Sequence, residues 1–253
     1  PQISDAERVA EMHNARSQRL YGEDQATADN IRRWWTGSRM NLAADVRLVF
    51  DASGVVAGLA VASDGGPPYT NIDCSAIVHP LYESRAGLWD WLHVWALRRA
   101  AEHAHLAEAG VRVAASTRTF PGDEARCAAV ERAGFELVRV GNHMRIDLAE
   151  PVPEPEWPTG ISIRTANIDR DLEAIVRLQQ EAWRDHWGFV ERPFQQVLDD
   201  WKEGVDDLGD KLDPSLWFLA IEGSEIVGIS LCDDRIVDDQ TRGYVDSLGV
   251  RPA

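Results

Sequence analysis

The pattern of apolar and polar positions changes period several times along the first half of the chain. Apolar residues at helical spacing predict one helix that begins near Ser4 and a second over about 25–35. From residue 46 the period is two, which predicts strands over 46–50, 55–61 and 70–78, with a turn at 51–54. A long helix from about Ala86 should turn one apolar stripe toward a sheet, formed by Leu88, Trp91, Leu92, Trp95 and Arg99.

A second set of elements and a break follow this helix. We predict a strand over 111–116, a helix over 123–133 closed by Gly134, and a strand pair over 135–140 and 144–148. The segment 150–160 contains four prolines and three glutamates. Proline cannot continue a helix or a central strand, so this segment predicts an extended linker between two domains, 1–149 and 161–253.

The pattern of the first domain restarts after the linker. A strand at 161–164, helices at 169–183 and 193–201, and strands at 217–221, 225–231 and 243–250 are predicted. The stretch 225–228 (Glu-Ile-Val-Gly) echoes 55–58 (Val-Val-Ala-Gly), and 249–252 (Gly-Val-Arg-Pro) echoes 77–80 (Ile-Val-His-Pro). The same order of elements, with glycine and proline at matching positions, predicts an internal duplication.

Composition and charge narrow the classes of function. The chain has 42 acidic and 26 basic side chains and a formal net charge of −16, which argues against nucleic acid or an anionic membrane as a partner. An acidic surface attracts cationic ligands such as amines. It is equally typical of a soluble acidic enzyme whose substrate is not attracted by charge. The cysteines have neither disulfide nor zinc spacing, so we expect reduced thiols, no metal and a cytoplasmic location; they are Cys74, Cys127 and Cys232.

The order of elements, together with Asp-Ser-Leu-Gly-Val-Arg-Pro at 246–252, resembles the GNAT superfamily of N-acetyltransferases. Two copies in one chain are similar to the two-domain architecture of the mycothiol synthases. The resemblance implies a mixed α/β (α+β) fold class with two tandem GNAT folds. The second copy is expected to be incomplete, because the sequence stops directly after its fourth strand and before the glycine-rich loop of the family.

The resemblance implies acetyl-CoA as cosubstrate and a place for it. In the family, the pantetheine arm lies beside the fourth strand, so backbone groups of Leu248, Gly249 and Val250 are expected to bind it. The N–H of Val250 would then lie near the thioester carbonyl, and Gly249 would let the ligand approach closely. An ordinary buried strand with a glycine bulge is the alternative.

The first copy carries a partial version of the cofactor loop. Val78 leads into it, and Arg85, Ala86 and Gly87 match part of the family pattern, in which small residues let backbone amides approach a pyrophosphate. Glu83 adds a negative charge where an anion should bind. We therefore expect the first copy to be degenerate, either binding CoA weakly or acting as a structural partner.

Amine acetylation needs a group that removes a proton from the acceptor, because an ammonium has no lone pair. Family members place a carboxylate on this strand, which makes Asp246 the candidate base. Tyr244 lies two residues away and, by strand alternation, is expected on the same face. The alternative for Asp246 is an edge carboxylate paired with Arg242 or Arg251.

An aromatic loop follows the first helix of the second copy and resembles the acceptor loop of tandem relatives. Its candidate substrate-binding residues are Trp183, His186, Trp187 and Phe189. The alternative is that both tryptophans are core packing and that His186 interacts with the end of the helix.

The sequence thus predicts an acetyl-CoA-dependent N-acetyltransferase that acts on a primary amine of a small molecule, as a monomer or homodimer. One alternative is a non-catalytic tandem GNAT scaffold that binds acyl-CoA or a protein partner. Another is an aminoacyl- or peptidoglycan-related transferase, but a charged-tRNA donor requires a basic face that this sequence lacks.

Overall fold

The computed structural model describes residues 1–37, 40–142, 144–209, 212–234 and 243–252. It divides into two compact units, Pro1–Asn142 and His143–Ala253. Each unit contains a four-stranded sheet with helices, so the predicted mixed α/β class is confirmed. Residues 150–158 contain neither helix nor strand, and their side chains are exposed.

The first unit is built around an antiparallel meander. Its strands are β1 (Val46–Phe50), β2 (Val56–Ser63), β3 (Asn71–Val78) and β4 (Ala114–Ser116), in that spatial order, with β4 parallel to β3. Its helices are α1 (Ala6–Tyr21), α2 (Ala28–Thr36), α3 (Leu42–Asp45), α4 (Ala86–His103) and α5 (Glu124–Arg132). Short 3₁₀ turns occupy Ile3–Asp5, Pro80–Tyr82 and Ala104–Leu106.

Local signals in the sequence explain where these helices begin and end. The Thr27 side chain accepts a hydrogen bond from the N–H of Asn30 at the start of α2, and Asp123 caps α5 in the same way. Gly134, with φ of 88°, follows the end of α5. Helices α1 and α2 pack on one face of β1 and β2, while α4 covers the opposite face of β2 and β3.

The predicted face of α4 is correct for Leu88, Leu92 and Trp95, which pack against the sheet, and wrong for Trp91. Trp89 is buried and its indole N–H donates to the carbonyl of Glu83 at 2.9 Å, whereas Trp91 is 50% exposed. Alanine and tryptophan residues occur on several sides of α4, so the spacing of apolar residues alone does not define which side is buried. Leu92, a member of the predicted stripe, lies directly on the sheet, since a Cβ added at Gly58 would lie only 2.8 Å from its Cδ1 atom.

The predicted strand pair over 135–140 and 144–148 is also wrong. The described residues of this region form neither helix nor strand, and residue 143 lies outside them. Strands of this kind need a sheet edge to pair with and a layer that buries one face. Here the apolar side chains are exposed, with Leu137 at 84% and Met144 at 88%.

The second unit repeats the meander after an added first strand. Its strands are β5 (Ile161–Thr165), β6 (Trp217–Glu222), β7 (Glu225–Asp233) and β8 (Tyr244–Val250), all antiparallel and in that spatial order. Its helices are α6 (Ile168–Trp183) and α7 (Phe194–Leu208), with a 3₁₀ turn at Pro214–Leu216. The Arg164 guanidinium binds both carboxylate oxygens of Asp171, at 2.6 and 2.8 Å, and so ties β5 to α6.

The strand registers confirm the internal repeat. Gly58 pairs with Val78 in the first unit, and Gly228 pairs with Val250 in the second. The next backbone bond is also the same: the N–H of His79 donates to Ala57 at 3.0 Å, and that of Arg251 donates to Val227 at 2.9 Å. Both sheets carry an irregularity at matching places, Val49/Phe50 and Ala220/Ile221.

Candidate active site

Strand β8 is the edge of the second sheet among the described strands. Its side chains divide clearly: Leu248 is 69% exposed and Val250 70%, whereas Ser247 and Gly249 are buried. The matching residue of the first unit, Val78, is fully buried beneath α4 with Trp89. No helix in the described part of the second unit covers the corresponding face.

The backbone of β8 offers only some of the groups expected from the sequence. The N–H of Arg251 donates to β7, and successive residues of a strand direct their backbone groups to opposite edges. Gly249 therefore also bonds toward β7, whereas the N–H groups of Leu248 and Val250 face the edge that no described strand occupies. Leu248 and Val250 thus keep outward backbone groups for the predicted cofactor contact, which stays a prediction, whereas the backbone of Gly249 bonds within the sheet.

A β-bulge lies at the candidate base. Ser247 pairs with Leu231 and Val245 pairs with Cys232, so Asp246 is the extra residue on β8. Bulges redirect side chains and occur often beside active sites. The side chain of Asp246 is exposed.

The same bulge overturns the argument that put Tyr244 and Asp246 on one face. Tyr244 pairs with Asp233, which shares the face of Leu231 and therefore of Ser247. Side chains of β8 alternate between the two faces of the sheet only up to the extra residue Asp246. A two-residue spacing that includes this residue therefore no longer implies a shared face. Tyr244 remains adjacent along the chain and is 41% exposed. The catalytic roles of both residues stay predictions.

Gly249 is required by a neighbouring side chain. A Cβ at this position would lie 2.4 Å from Cζ3 of Trp183 and 3.3 Å from Cβ of Ala182. The close approach expected for a ligand is therefore made by the indole of Trp183. For Trp183 the alternative of packing is thus the better description, since its ring lies against β8.

The remaining residues of the aromatic loop are open to solvent. His186 is exposed, with its ring centroid 5.4 Å from that of Trp183, and Trp187 is 67% exposed. Phe189 is half-buried. Core packing is therefore wrong for Trp187, and the loop presents aromatic surface to solvent.

The ion pair considered for Asp246 does not involve Arg251. The guanidinium of Arg251 binds Glu225 at 2.6 Å and Glu181 at 3.0 Å, and these bonds raise its pKa. The other considered partner, Arg242, lies outside the described residues. Arg251 instead joins β8 to α6 and β7.

In the first unit, the candidate cofactor loop is exposed but occupied by local contacts. Arg85 packs over the ring of Tyr82 at 5.7 Å, and the hydroxyl of Tyr82 donates a hydrogen bond to the carboxylate of Asp51. That hydrogen bond raises the pKa of Tyr82 and lowers that of Asp51. Ala86 and Gly87 begin α4 with open space at Gly87, and Glu83 is held by an ion pair with Arg19.

The first unit contains a buried charge cluster that the sequence analysis did not predict. Arg16 is 5% exposed and forms an ion pair with Asp123, which is fully buried, and Arg126 lies 7% exposed near them. Burial, with the charge of Arg126, lowers the pKa of Arg16 to about 10. A signal was present, because Arg16 continues the helical spacing of the buried Val9 and Met12 on α1.

Comparisons with known proteins identify what the two units resemble. A mycothiol acetyltransferase from Thermobispora bispora is 30% identical over 177 residues, which cover 68% of this chain and 51% of that protein. The chain thus spans about half the length of this curated relative. A GCN5-related N-acetyltransferase from Sphaerobacter thermophilus has a similar structure, with a TM-score of 0.78, 27% identity, and coverage of 99% of this chain and 74% of its own.

A tandem GNAT protein from the clavulanic acid biosynthesis pathway shares the fold at 13% identity, with a TM-score of 0.60 over 98% of this chain and 76% of its own. The chain matches no model of a protein family. None of the described helices combines the length and apolar character needed to cross a membrane. The described residues also contain no group of three or more His, Cys, Asp or Glu side chains arranged for a metal ion.

Proposed function

We propose that this chain, which belongs to the GNAT superfamily and contains its fold twice, transfers an acetyl group from acetyl-CoA to a primary amine of a small molecule. Support comes from its similarity to two proteins named as acetyltransferases. We also propose a division of labour: residues 161–253 carry the transfer, 150–160 link the domains, and 1–149 form a degenerate partner.

The observation that carries this proposal is the outward backbone of Leu248 and Val250 on β8. Their counterparts in the first unit, Ala76 and Val78, likewise lie beyond the part of β3 that pairs with β4, which is Asn71–Asp73. A pantetheine arm contains two amide groups and can add to a sheet edge as a further strand does. The outward backbone groups of Leu248 and Val250 supply the complementary donors and acceptors. With the thioester carbonyl beside the N–H of Val250, that donor would stabilise the oxyanion formed during acyl transfer.

The acceptor amine must lose a proton before or during its attack on the thioester. Asp246 is the proposed base, acting directly or through a water molecule, because the bulge sets its side chain apart from the regular alternation of β8. The amine nitrogen then bonds to the acetyl carbon, and the carbon–sulfur bond breaks. The CoA thiolate leaves and takes up a proton. Tyr244 is proposed to hydrogen-bond the acceptor or that water.

The aromatic loop after α6 is the proposed acceptor surface. Trp187 and His186 are exposed, and Phe189 is half-buried, so the loop offers rings that can contact an organic amine. The face of an indole also attracts a cation. The net charge of −16 would concentrate positively charged amines around the protein before they bind.

Two measurements on the protein test this proposal. Acetyl-CoA should raise the melting temperature in a saturable manner, since a ligand that binds the folded state stabilises it. Release of the CoA thiol should then depend on an added primary amine, with the matching alcohol and tertiary amine as controls. Stabilisation without amine-dependent thiol release would favour a scaffold that binds acyl-CoA, and absence of both would refute the proposal.

A further inference from the structure

The last turn of α6 holds β8 on both sides of Val250. On one side, the indole of Trp183 lies against Gly249. On the other, Nε of Arg251 donates to a carboxylate oxygen of Glu181, in the same helical turn, at 3.0 Å. Val250 itself points away from the helix and is 70% exposed. The two residues that flank Val250 are therefore both fixed to one helix.

Arg251 also joins the end of β8 to the neighbouring strand. Its backbone N–H donates to the carbonyl of Val227 at 2.9 Å, and its Nη1 donates to Glu225 at 2.6 Å. Both partners lie on β7. A guanidinium is planar and rigid, so two carboxylates bound to it on different elements fix its orientation. Arg251, Glu181 and Glu225, here called the arginine clamp, thus connect β8, α6 and β7 at one point.

The charge of Arg251 does not by itself explain its place beside the proposed oxyanion site. Its single positive charge is bound by the two carboxylates of Glu181 and Glu225, and a group with excess negative charge does not stabilise a developing anion. The side chain of Arg251 also extends toward α6, whereas the N–H of Val250 faces the outer edge of β8. Arg251 can therefore affect acetyl transfer only through the position of the backbone.

The first unit uses the matching positions differently. His79 corresponds to Arg251, and its ring nitrogen accepts a backbone N–H from its own loop at 3.2 Å. Arg19 corresponds to Glu181, because each is the third residue from the end of its helix, but Arg19 pairs with Glu83. Neither residue of the first unit makes the contact that joins Arg251 to α6. The arginine clamp is thus particular to the unit that is proposed to carry the transfer.

We propose that Arg251 is a positioning residue for acetyl transfer, which holds the backbone N–H of Val250 toward the thioester oxygen. This role presupposes the proposed function, in which that N–H lies beside the thioester carbonyl. A donor stabilises an oxyanion fully only when it is oriented before the reaction begins. The peptide that carries the donor lies between Gly249 and Val250. Trp183 restricts this peptide on one side, and the arginine clamp restricts it on the other.

Steady-state kinetics of Arg251→Gln test this role. Glutamine has no charge and cannot bind two carboxylates. The values of kcat and kcat/KM should fall together by about tenfold, which is part of the loss expected for an oxyanion donor, while acetyl-CoA binding persists. Lys202→Gln removes one positive charge from an exposed ion pair on α7 and should leave kcat unchanged. Equal kcat values in these two variants would overturn the proposal.

A double variant separates positioning from a general loss of structure. Val250→Pro removes the donor that Arg251 is proposed to hold. Adding Arg251→Gln to Val250→Pro should therefore lower kcat by less than about twofold, because coupled residues are not additive. A further loss as large as the one in the natural background would overturn the proposal. Arg251→Lys keeps the charge and should retain a higher kcat than Arg251→Gln.

A measurement without substrate separates failure of the arginine clamp from failure of the proposed function. In protein labelled with nitrogen-labelled valine, the amide signal of Val250 is identified by its absence in Val250→Ala. Glu181 lies 70 residues away in sequence, so Glu181→Gln should shift or broaden this signal only through the clamp. Glu173→Gln, which breaks an exposed ion pair on α6, should leave it unchanged.

The two kinds of failure give different results. A natural protein that transfers no acetyl group would refute the proposed function, and the amide signal of Val250 would then decide alone whether the clamp holds the backbone. Active protein with the same Val250 signal in Glu181→Gln and Glu173→Gln would overturn the positioning role and leave the proposed function intact.

Discussion

The indole of Trp183 occupies the space that a side chain at position 249 would need, with Cζ3 only 2.4 Å from an ideal Cβ on Gly249. This contact joins the last residue of α6 to the candidate strand β8. It fixes the strand against the helix on one face while Leu248 and Val250 stay exposed on the other.

Gly249→Ala should therefore destabilise the second unit by about 1–3 kcal/mol, the usual cost of overpacking. Urea denaturation measures the change. Gly243→Ala is the matched control, since its nearest new contact is 3.8 Å away, and it should have a smaller effect. Combining Gly249→Ala with Trp183→Leu should recover part of the loss, and additive effects would contradict the contact.

The sequence predicted the parts of this arrangement that depend on local patterns. Period-two stretches identified both meanders, and the recurrence of glycine at 58 and 228 marked residues that occupy the same register in the two sheets. Helices α2 and α5 begin at Ala28 and Glu124, close to the predicted starts at 25 and 123, because the capping side chains of Thr27 and Asp123 act within one turn.

Features set by distant partners could not be predicted. The bulge at Asp246 is defined by the pairing of two strands, and nothing in the sequence of β8 alone marks it. The reason for Gly249 lies in Trp183, which is far away in sequence. Helical spacing marked Arg16 as part of the buried face of α1, but that spacing does not identify its partner Asp123 at the start of α5. Tertiary packing decides each of these.

Val250→Pro tests the outward N–H on β8. Proline removes a donor that faces the open edge and not β7, so the ladder loses no hydrogen bond there. We expect kcat to fall about 10²–10³-fold, as for loss of one oxyanion donor, with little change in melting temperature. Val250→Ala keeps the N–H and should retain activity. Equal loss in both variants would assign the effect to the side chain.

Asp246→Asn tests the proposed base. The amide cannot accept a proton, so the rate of amine acetylation should fall about 10²–10⁴-fold while acetyl-CoA binding persists. The dependence of kcat/KM on pH should also lose the limb that reports ionisation of the base. Asp207→Asn, at an exposed position of α7, is the matched control for net charge. An unchanged rate and pH profile would exclude Asp246 as the base.

Asp123→Asn should destabilise the first unit strongly. It leaves the buried guanidinium of Arg16 without its carboxylate, and loss of one partner of a buried ion pair costs about 3–5 kcal/mol. Asp90→Asn breaks the exposed pair with Arg132 and should cost less than about 1 kcal/mol. Chemical denaturation of both variants gives the comparison, and similar small effects would show that the buried pair contributes little.

The imidazole of His13 should make the first unit less stable in mild acid. Its pKa is lowered from 6.5 to about 4 in the folded protein, mainly by burial, so the unfolded chain binds a proton between these pH values and the folded chain does not. Stability is therefore unaffected by this group above pH 6.5 and decreases as the pH falls toward 4, by up to about 1.4 kcal/mol per pH unit. Carboxylates titrate in the same range, so the informative quantity is the difference between the natural protein and His13→Gln in urea denaturation at several pH values. That difference should change steadily between pH 6.5 and 4 and be constant above, whereas a flat difference throughout would mean that His13 is protonated equally in both states.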